Sequence, residues 1–276
     1  MLKQCLSGLL AKEEIGLLHS SFDVIGDIAV IKIPPELSER EQIIADTILA
    51  KMKNVRTVLK QDSPVRGEFR TREVSYVSGE KKFTAIYKEN QCLFKVDVSK
   101  VYFSPRLSTE RKRIASLVKE GERILNMFAG IGSFSIVIAK QVECSIESVD
   151  NNPAAYELAI ESLKLNKRMK GTVKPILSDA LEYAERHKGS FDRVLMPLPE
   201  RSWEFLPAAI ASLDERGSRM IHYYVHVSEE QFKDKGWIYS HLGSIVSDKR
   251  FDVLLWKKVR EVGPRYIQAV ADILVS

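Results

Sequence analysis

Arg123-Ile-Leu-Asn126-Met-Phe-Ala-Gly130-Ile-Gly132-Ser-Phe-Ser135-Ile-Val-Ile-Ala-Lys140 is the stretch around which the other elements arrange themselves. An apolar run, a turn with two glycines one residue apart, and a second apolar run with Ser133 at its mouth predict strand, tight loop and helix. Glycines let the backbone approach a ligand that a Cβ would push away, and the first amides of the helix face it. This is a nucleotide-binding βα turn, although Ser135 stands where a dinucleotide fingerprint has its third glycine.

The following segments extend that unit. A second strand over 144–149 ends in Asp150, twenty residues after Gly130, where a carboxylate can accept from both hydroxyls of a ribose. Asn152-Pro153 then opens a helix, with asparagine as cap and proline in the first turn. A third strand, 173–177, runs into Ser178-Asp179, and a fourth, 191–196, into Pro197-Leu198-Pro199. Four successive strands thus end in polar or rigid residues along one edge, where open α/β sheets bind ligands. Helices over 179–187, 202–213 and 228–241, a strand over 218–225 and two long apolar stretches, 251–262 and 265–275, complete the pattern. Gly263-Pro264 between the last two predicts a terminal antiparallel hairpin, a feature of AdoMet-dependent methyltransferase sheets that a dehydrogenase sheet more often lacks.

Upstream, residues 1–21 form a short amphipathic lead-in and 22–103 a small α+β domain. Within it we expect a strand over 22–33 turning at Gly26-Asp27 and a helix from Ser38 with Ile43, Ile44, Ile48, Leu49 and Met52 in one stripe. Sequential hairpin strands over 55–59, 67–77, 82–88 and 92–103 follow. The nucleotide-binding domain is then 104–276.

Composition narrows the class further. The 276 residues are 45% hydrophobic and 29% charged, as in an ordinary soluble protein, and no apolar run suits a membrane span or a secretory leader. A cytoplasmic location is expected. Cys5, Cys92 and Cys144 are scattered, so no disulfide framework or zinc site is predicted. His222 and His226 lack a third ligand, and we predict no metal. A net charge of +5 permits a polyanionic partner without requiring one.

Several segments resemble one family: the archaeal and eukaryotic tRNA (guanine-37) N1-methyltransferases and their relatives in tricyclic wyosine-base synthesis. The likeness is carried by Phe22-Asp-Val-Ile-Gly-Asp-Ile-Ala, Gly67-Glu-Phe-Arg70, Met127-Phe-Ala-Gly-Ile-Gly132, His222-Tyr-Tyr224 and the long joint Lys95-Val-Asp-Val-Ser-Lys-Val-Tyr102-Phe-Ser-Pro-Arg106-Leu-Ser-Thr-Glu110-Arg111. It implies a class I Rossmann-like methyltransferase fold, S-adenosyl-L-methionine (AdoMet) as methyl donor and tRNA, through its anticodon stem-loop, as partner of a monomeric enzyme. It also implies that Glu110 takes the proton from guanine N1 and that Arg70 meets charge on O6, while Tyr102, Arg106, Pro197 and Pro199 line the substrate pocket. Phe128, Gly130, Gly132, Asp150, Asn151, Asp179 and Leu198 match the cofactor-binding positions.

From the residues alone, Glu110 equally suits a first-turn carboxylate facing a helix dipole, Arg70 a solvated strand arginine and Asp179 a helix cap. The Tyr223-Tyr224 pair fits the core better than a stacking platform. Lys95, Lys100, Arg111 and Arg113 are candidates for phosphate contacts. Two residues depart from the family pattern. Pro197 replaces an asparagine and resembles the archaeal subgroup that also methylates C7 of the tricyclic base; Asn126 replaces an acid. Twenty-one residues precede Phe22, where many members carry a separate domain, so distant contacts to the tRNA elbow are not expected. C7 methylation is the nearest rival reading, followed by aminocarboxypropyl transfer and a non-catalytic RNA-binding module.

Overall fold

The computed structural model describes residues 2–19, 22–65, 67–247 and 250–276. The chain divides into two compact units, one of residues 1–89 with 93–105 and one of 90–92 with 106–276. Among the described residues no helix is long and apolar enough to cross a membrane.

The first unit carries α1 (Leu2–Cys5), α2 (Lys12–Leu17), β1 (Asp23–Ile25), β2 (Ile28–Ile31), α3 (Glu41–Lys51), β3 (Thr57–Gln61), β4 (Val74–Gly79) and β5 (Thr84–Glu89); β6 (Cys92–Asp97) follows. The strands form a four-stranded sheet in the order β1-β2-β3-β4 and a separate β5-β6 pair. Of the sequential hairpins expected from residue 55 onward, β3 and β4 pair antiparallel but β4 and β5 lie in separate sheets, and β2 and β3, joined through the expected helix, run parallel. The reason is α3, which crosses between them and buries Ile44, Ala45 and Ile48. The amphipathic lead-in joins the same core, with Leu6, Leu10 and Leu18 packed among Ala29, Ile31, Leu37 and Val58. The strand expected over 67–77 begins only at Val74, because residues 67–70 are a turn closed by Arg70 N–H to the Gly67 carbonyl at 3.1 Å.

The second unit is the α/β layer anticipated from the glycine loop. It runs α4 (Ser108–Leu117), β7 (Arg123–Asn126), α5 (Ser133–Gln141), β8 (Ser145–Asp150), α6 (Pro153–Leu165), β9 (Thr172–Leu177), α7 (Ala180–Arg186), β10 (Arg193–Met196) and α8 (Ser202–Ala211). It ends with β11 (Met220–Ser228), α9 (Glu229–Lys233), α10 (Lys235–Ile245), β12 (Phe251–Gly263) and β13 (Tyr266–Val275). The helix expected over 228–241 is thus two, because Asp234 ends the first and caps the second by accepting from Gly236 N–H at 2.8 Å.

The strand order is β12-β13-β11-β10-β7-β8-β9. Strands β7 to β11 pair in parallel, and β13 lies antiparallel between β11 and β12, the anticipated terminal hairpin. All of β10 and nearly all of β13 are buried, as strands covered on both faces must be. From β7 the chain steps to β8 on one side and later returns to β10 on the other. The sheet therefore has its switch point between β7 and β10, where open α/β sheets leave a crevice at the strand ends.

Candidate active site

The glycine loop sits at that switch point. Met127 N–H donates to the Leu195 carbonyl of β10 at 3.0 Å and Ala129 N–H to the Val149 carbonyl of β8 at 2.9 Å, so the loop is fastened to both neighbouring strands. Gly130 and Gly132 have φ of +55° and +75°, the left-handed region that side chains resist. Nothing lies within 4 Å of a Cβ built on Gly130, so open space adjoins the backbone there; Gly132 would meet only ordinary contacts with Ile136 and Ala159. Gly132 caps α5, whose first amides are unpaired within the helix.

Asp150, ending β8, accepts from Gly130 N–H at 2.6 Å through Oδ2 and from Asn152 N–H at 3.0 Å through Oδ1. A carboxylate has about four lone-pair sites, so each oxygen keeps capacity for a hydroxyl donor. Burial pushes this carboxyl up, and the two amide bonds pull it back. Asn151 follows, and Asn152 caps α6 by accepting from Ala154 N–H at 3.0 Å.

Ser135, which breaks the three-glycine fingerprint, is fully buried and joins β7, α5 and β8 through a polar trio. Asn126 Nδ2 donates to its Oγ at 3.1 Å, and Ser148 Oγ lies 2.5 Å away. Asn126 Oδ1 is buried with no hydrogen-bond partner, an acceptor that costs about 1–3 kcal/mol to leave unpaired. The open glycine backbone at Gly130 and a carboxylate with spare lone pairs fit the ribose hydroxyls of a nucleoside such as AdoMet.

The remaining predicted cofactor positions share this edge. Phe128 packs edge-on against Phe205 with ring centroids 4.9 Å apart, and Leu198 lies half-buried on the same core. Asp179 caps α7, accepting from Leu181 N–H at 2.8 Å and Glu182 N–H at 3.1 Å, both through Oδ1. Pro197 is half-buried and Pro199 buried, and the Pro199 carbonyl accepts from His226 N–H at 3.3 Å.

Glu110 lies elsewhere in this unit, in the first turn of α4, and is only 4% exposed. Its carboxylate receives Arg113 Nε at 2.9 Å, Arg113 Nη2 at 2.7 Å and the Tyr224 hydroxyl at 2.8 Å. Burial and the Glu110 charge hold the Tyr224 phenol well above its ordinary pKa, so it remains a donor. Arg113 also pairs with Asp272, which meets His222, which meets Arg193, and Arg193 is forked onto Glu122 at 2.6 and 3.0 Å. Arg111 and Arg113, read from sequence as phosphate contacts, are thus turned inward. Arg111 is 1% exposed with its guanidinium 5.9 Å from the Phe134 ring centre. The Tyr223-Tyr224 pair is core, as its sequence suggests.

In the first unit, Arg70 stands not on a strand but at the end of the 67–70 turn, at φ +52°. Its guanidinium lies 4.4 Å from the centre of the Tyr102 ring, a cation–π contact worth roughly 0.5–1 kcal/mol or more. Arg106 is exposed on the short 3₁₀ turn Pro105–Leu107 of the second unit. Sequence reasoning missed Asn126's trio with Ser135 and Ser148 and the whole group from Arg113 to Glu122. One signal was available: Asp272 and His222 are lone polar residues inside apolar strand runs, and a polar or charged group in such a place needs a partner.

Known proteins match both parts of the chain. A TRM5/TYW2 methyltransferase domain matches residues 85–253, and a TYW2 N-terminal domain matches 2–82. The chain is 39% identical over 261 residues to tRNA (guanine(37)-N(1))-methyltransferase Trm5b of Pyrococcus abyssi, covering 94% of this chain and 76% of the relative. It is 32% identical to tRNA 4-demethylwyosine(37)-methyltransferase Taw21 of Saccharolobus solfataricus, over 91% and 92% of the two chains. Among solved structures, that of aTrm5 with tRNALeu superposes at a TM-score of 0.85 with 32% identity, covering all of this chain and 78% of the other. Methanocaldococcus jannaschii TYW2 in complex with AdoMet gives 0.66 with 26% identity, over 93% and 100%.

Proposed function

Because the chain belongs to the TRM5/TYW2 methyltransferase family, we propose that it is an AdoMet-dependent tRNA methyltransferase acting on N1 of the guanosine at position 37, beside the anticodon. One observation carries the reading: likeness to the Trm5b enzyme extends over 94% of the chain, well beyond the AdoMet-type sheet that many methyltransferases share.

Gly130, Gly132 and the adjoining amides would hold AdoMet, with Phe128 and Leu198 as apolar walls and Asp150, Asn151 and Asp179 as polar partners. Asp150 has lone pairs for the ribose hydroxyls. When bound, AdoMet supplies a methyl group on a positively charged sulfur, so the chain's residues need only aim a nucleophile and manage its proton. Neutral guanine carries a proton on N1 that must leave as N1 attacks, and Glu110 accepts it. Arg70, held against Tyr102, meets the negative charge that grows on O6. Tyr102, Arg106, Pro197 and Pro199 match the family's substrate-side positions. The guanine leaves its stack in the anticodon loop to be reached, at less cost there than in a duplex.

A second reading, methylation of C7 on the tricyclic base at the same tRNA position, is favoured by Pro197 and by the end-to-end likeness to Taw21. One experiment separates them. Labelled AdoMet is incubated with transcripts bearing G or A at position 37 and with tRNA carrying the tricyclic base, and the products go to nucleoside mass spectrometry. N1-methylguanosine from the G37 transcript alone is expected; equal labelling of the A37 transcript overturns the reading. A methyl group found only on the tricyclic base moves the activity to C7.

A further inference from the structure

In the second unit the Arg113 guanidinium serves two buried carboxylates. Arg113 gives Nε and Nη2 to Glu110 at 2.9 and 2.7 Å, and Nη1 and Nη2 to Asp272 at 2.6 and 3.2 Å. Glu110 and Asp272 are 4% and 5% exposed, so water does little to screen either charge.

Beyond Asp272 stands His222, fully buried, with Nδ1 2.6 Å from Asp272 Oδ1 and Nε2 2.6 Å from Arg193 Nη1. A guanidinium only donates, so Nε2 is the acceptor and the ring proton sits on Nδ1, pointing at Asp272. His222 is therefore neutral, and burial pushes its pKa down accordingly. Arg193 is occupied by Glu122. Asp272 thus receives a neutral hydrogen bond from His222 and takes its charged partner from Arg113. The charged and titratable groups bonded to Glu110 are Arg113 from α4 and Tyr224 from β11, with Asp272 from β13, His222 from β11, Arg193 from β10 and Glu122 ahead of β7 following in series behind Arg113.

A carboxylate held by a guanidinium of its own is a weak proton acceptor, because taking a proton breaks the ion pair. A second carboxylate on the same guanidinium lessens that loss: when Glu110 gains a proton, Arg113 remains neutralised by Asp272. We propose that Asp272 is a positioning residue for the reaction: by taking half of the Arg113 fork it fixes Glu110 in one orientation and keeps it able to accept the guanine N1 proton. As the methyl group arrives on N1, the N1–H bond breaks, its proton passes to a Glu110 oxygen, and Arg113 stays charged. The inference rests on Glu110 as the base of the proposed reaction.

The test is single-turnover methylation of a G37 transcript at saturating AdoMet, from about pH 5 to 9, for the intact chain and for Asp272→Asn, Arg113→Lys and Glu110→Gln. Asp272→Asn leaves Arg113 to Glu110 alone, so the acid limb should move down by about one pH unit and the plateau rate fall about tenfold. Arg113→Lys keeps a cation but gives up the fork, so its limb should move up. Opposite displacements are a result that loss of packing alone does not produce. If Asp272→Asn fails to bind AdoMet, the direction given by Arg113→Lys decides. Unmoved limbs together with an inactive Glu110→Gln overturn this proposal alone, whereas a fully active Glu110→Gln removes Glu110 as base and the proposal with it.

Discussion

Polar chemistry gathers at two places in the second unit, the cradle at Gly130 and Asp150 and the ionic group around Glu110, and they are built by opposite means. The cradle is backbone: two left-handed glycines, the first amides of α5 and a carboxylate twenty residues downstream that accepts from main-chain N–H groups. The ionic group is side chain on side chain, and its Arg113–Asp272 link spans 159 residues. A backbone cradle tolerates change in its surroundings because its donors come with the fold. An ionic group of buried side chains is satisfied only as a whole, since removing one member strands another charge.

The sharpest way to break this contrast is to empty the middle of the ionic group. Arg113→Ala leaves Glu110 and Asp272 as buried carboxylates without their cation and should cost about 3–5 kcal/mol of stability, read from the urea midpoint. A loss below ~1 kcal/mol would mean that water or another cation already serves these carboxylates.

Acid comes next, because the two places answer it with opposite signs. Burial alone would raise the Asp272 carboxyl, but hydrogen bonds from His222 and Arg113 outweigh it and hold the group at about 2. Its stabilising contribution is complete above the ordinary carboxylate pKa near 4 and is lost as pH falls toward 2, about 2 kcal/mol in all. His222, pushed down by burial, adds a loss that begins as pH drops below about 6.5. Asp150 is pushed up by burial, so its protonation relieves a cost and offsets part of that loss. Stability measured against pH should therefore fall less steeply in Asp272→Asn than in the unaltered chain; parallel curves would exclude Asp272 as the source.

Asp150→Ala should weaken AdoMet by ~1–3 kcal/mol in calorimetric titration, with a smaller change in unfolding, because the cradle's chief work is on the ligand. A large stability loss with unaltered affinity would reverse that assignment. The smallest effect belongs to the glycines. Gly132→Ala and Gly130→Ala should each cost about 1 kcal/mol through positive φ, but only Gly130→Ala, which puts a methyl into open space, should also reduce AdoMet affinity.

The cradle was legible because every part of it is local. Alternating apolar runs named the strands, glycine spacing named the turn, and Asn152-Pro153 and Asp179 announced helix starts that the structure keeps. In the first unit the same reasoning overran. The strand expected over 67–77 begins only at Val74, with Arg70 in a turn at φ +52°, and the hairpin expected between 67–77 and 82–88 is not made, because which runs pair depends on partners outside them. Arg111 and Arg113 misled most. Charged residues on a helix are ordinarily solvated, and nothing in α4 itself discloses that one of its faces meets β11 and β13.

By itself the sequence determined the α/β order, the terminal hairpin, the glycine cradle with Asp150, and the residues that resemble a tRNA methyltransferase. Those follow from periodicities and backbone requirements acting over a few residues. Only the tertiary structure decided that Glu110, Arg113, Asp272 and His222 meet, that one guanidinium is shared between two carboxylates, and that Asn126 keeps an unpaired acceptor. The physical reason is that burying a charge is unfavourable until a partner from elsewhere in the chain arrives, and the identity of that partner is set by which strands the sheet brings side by side.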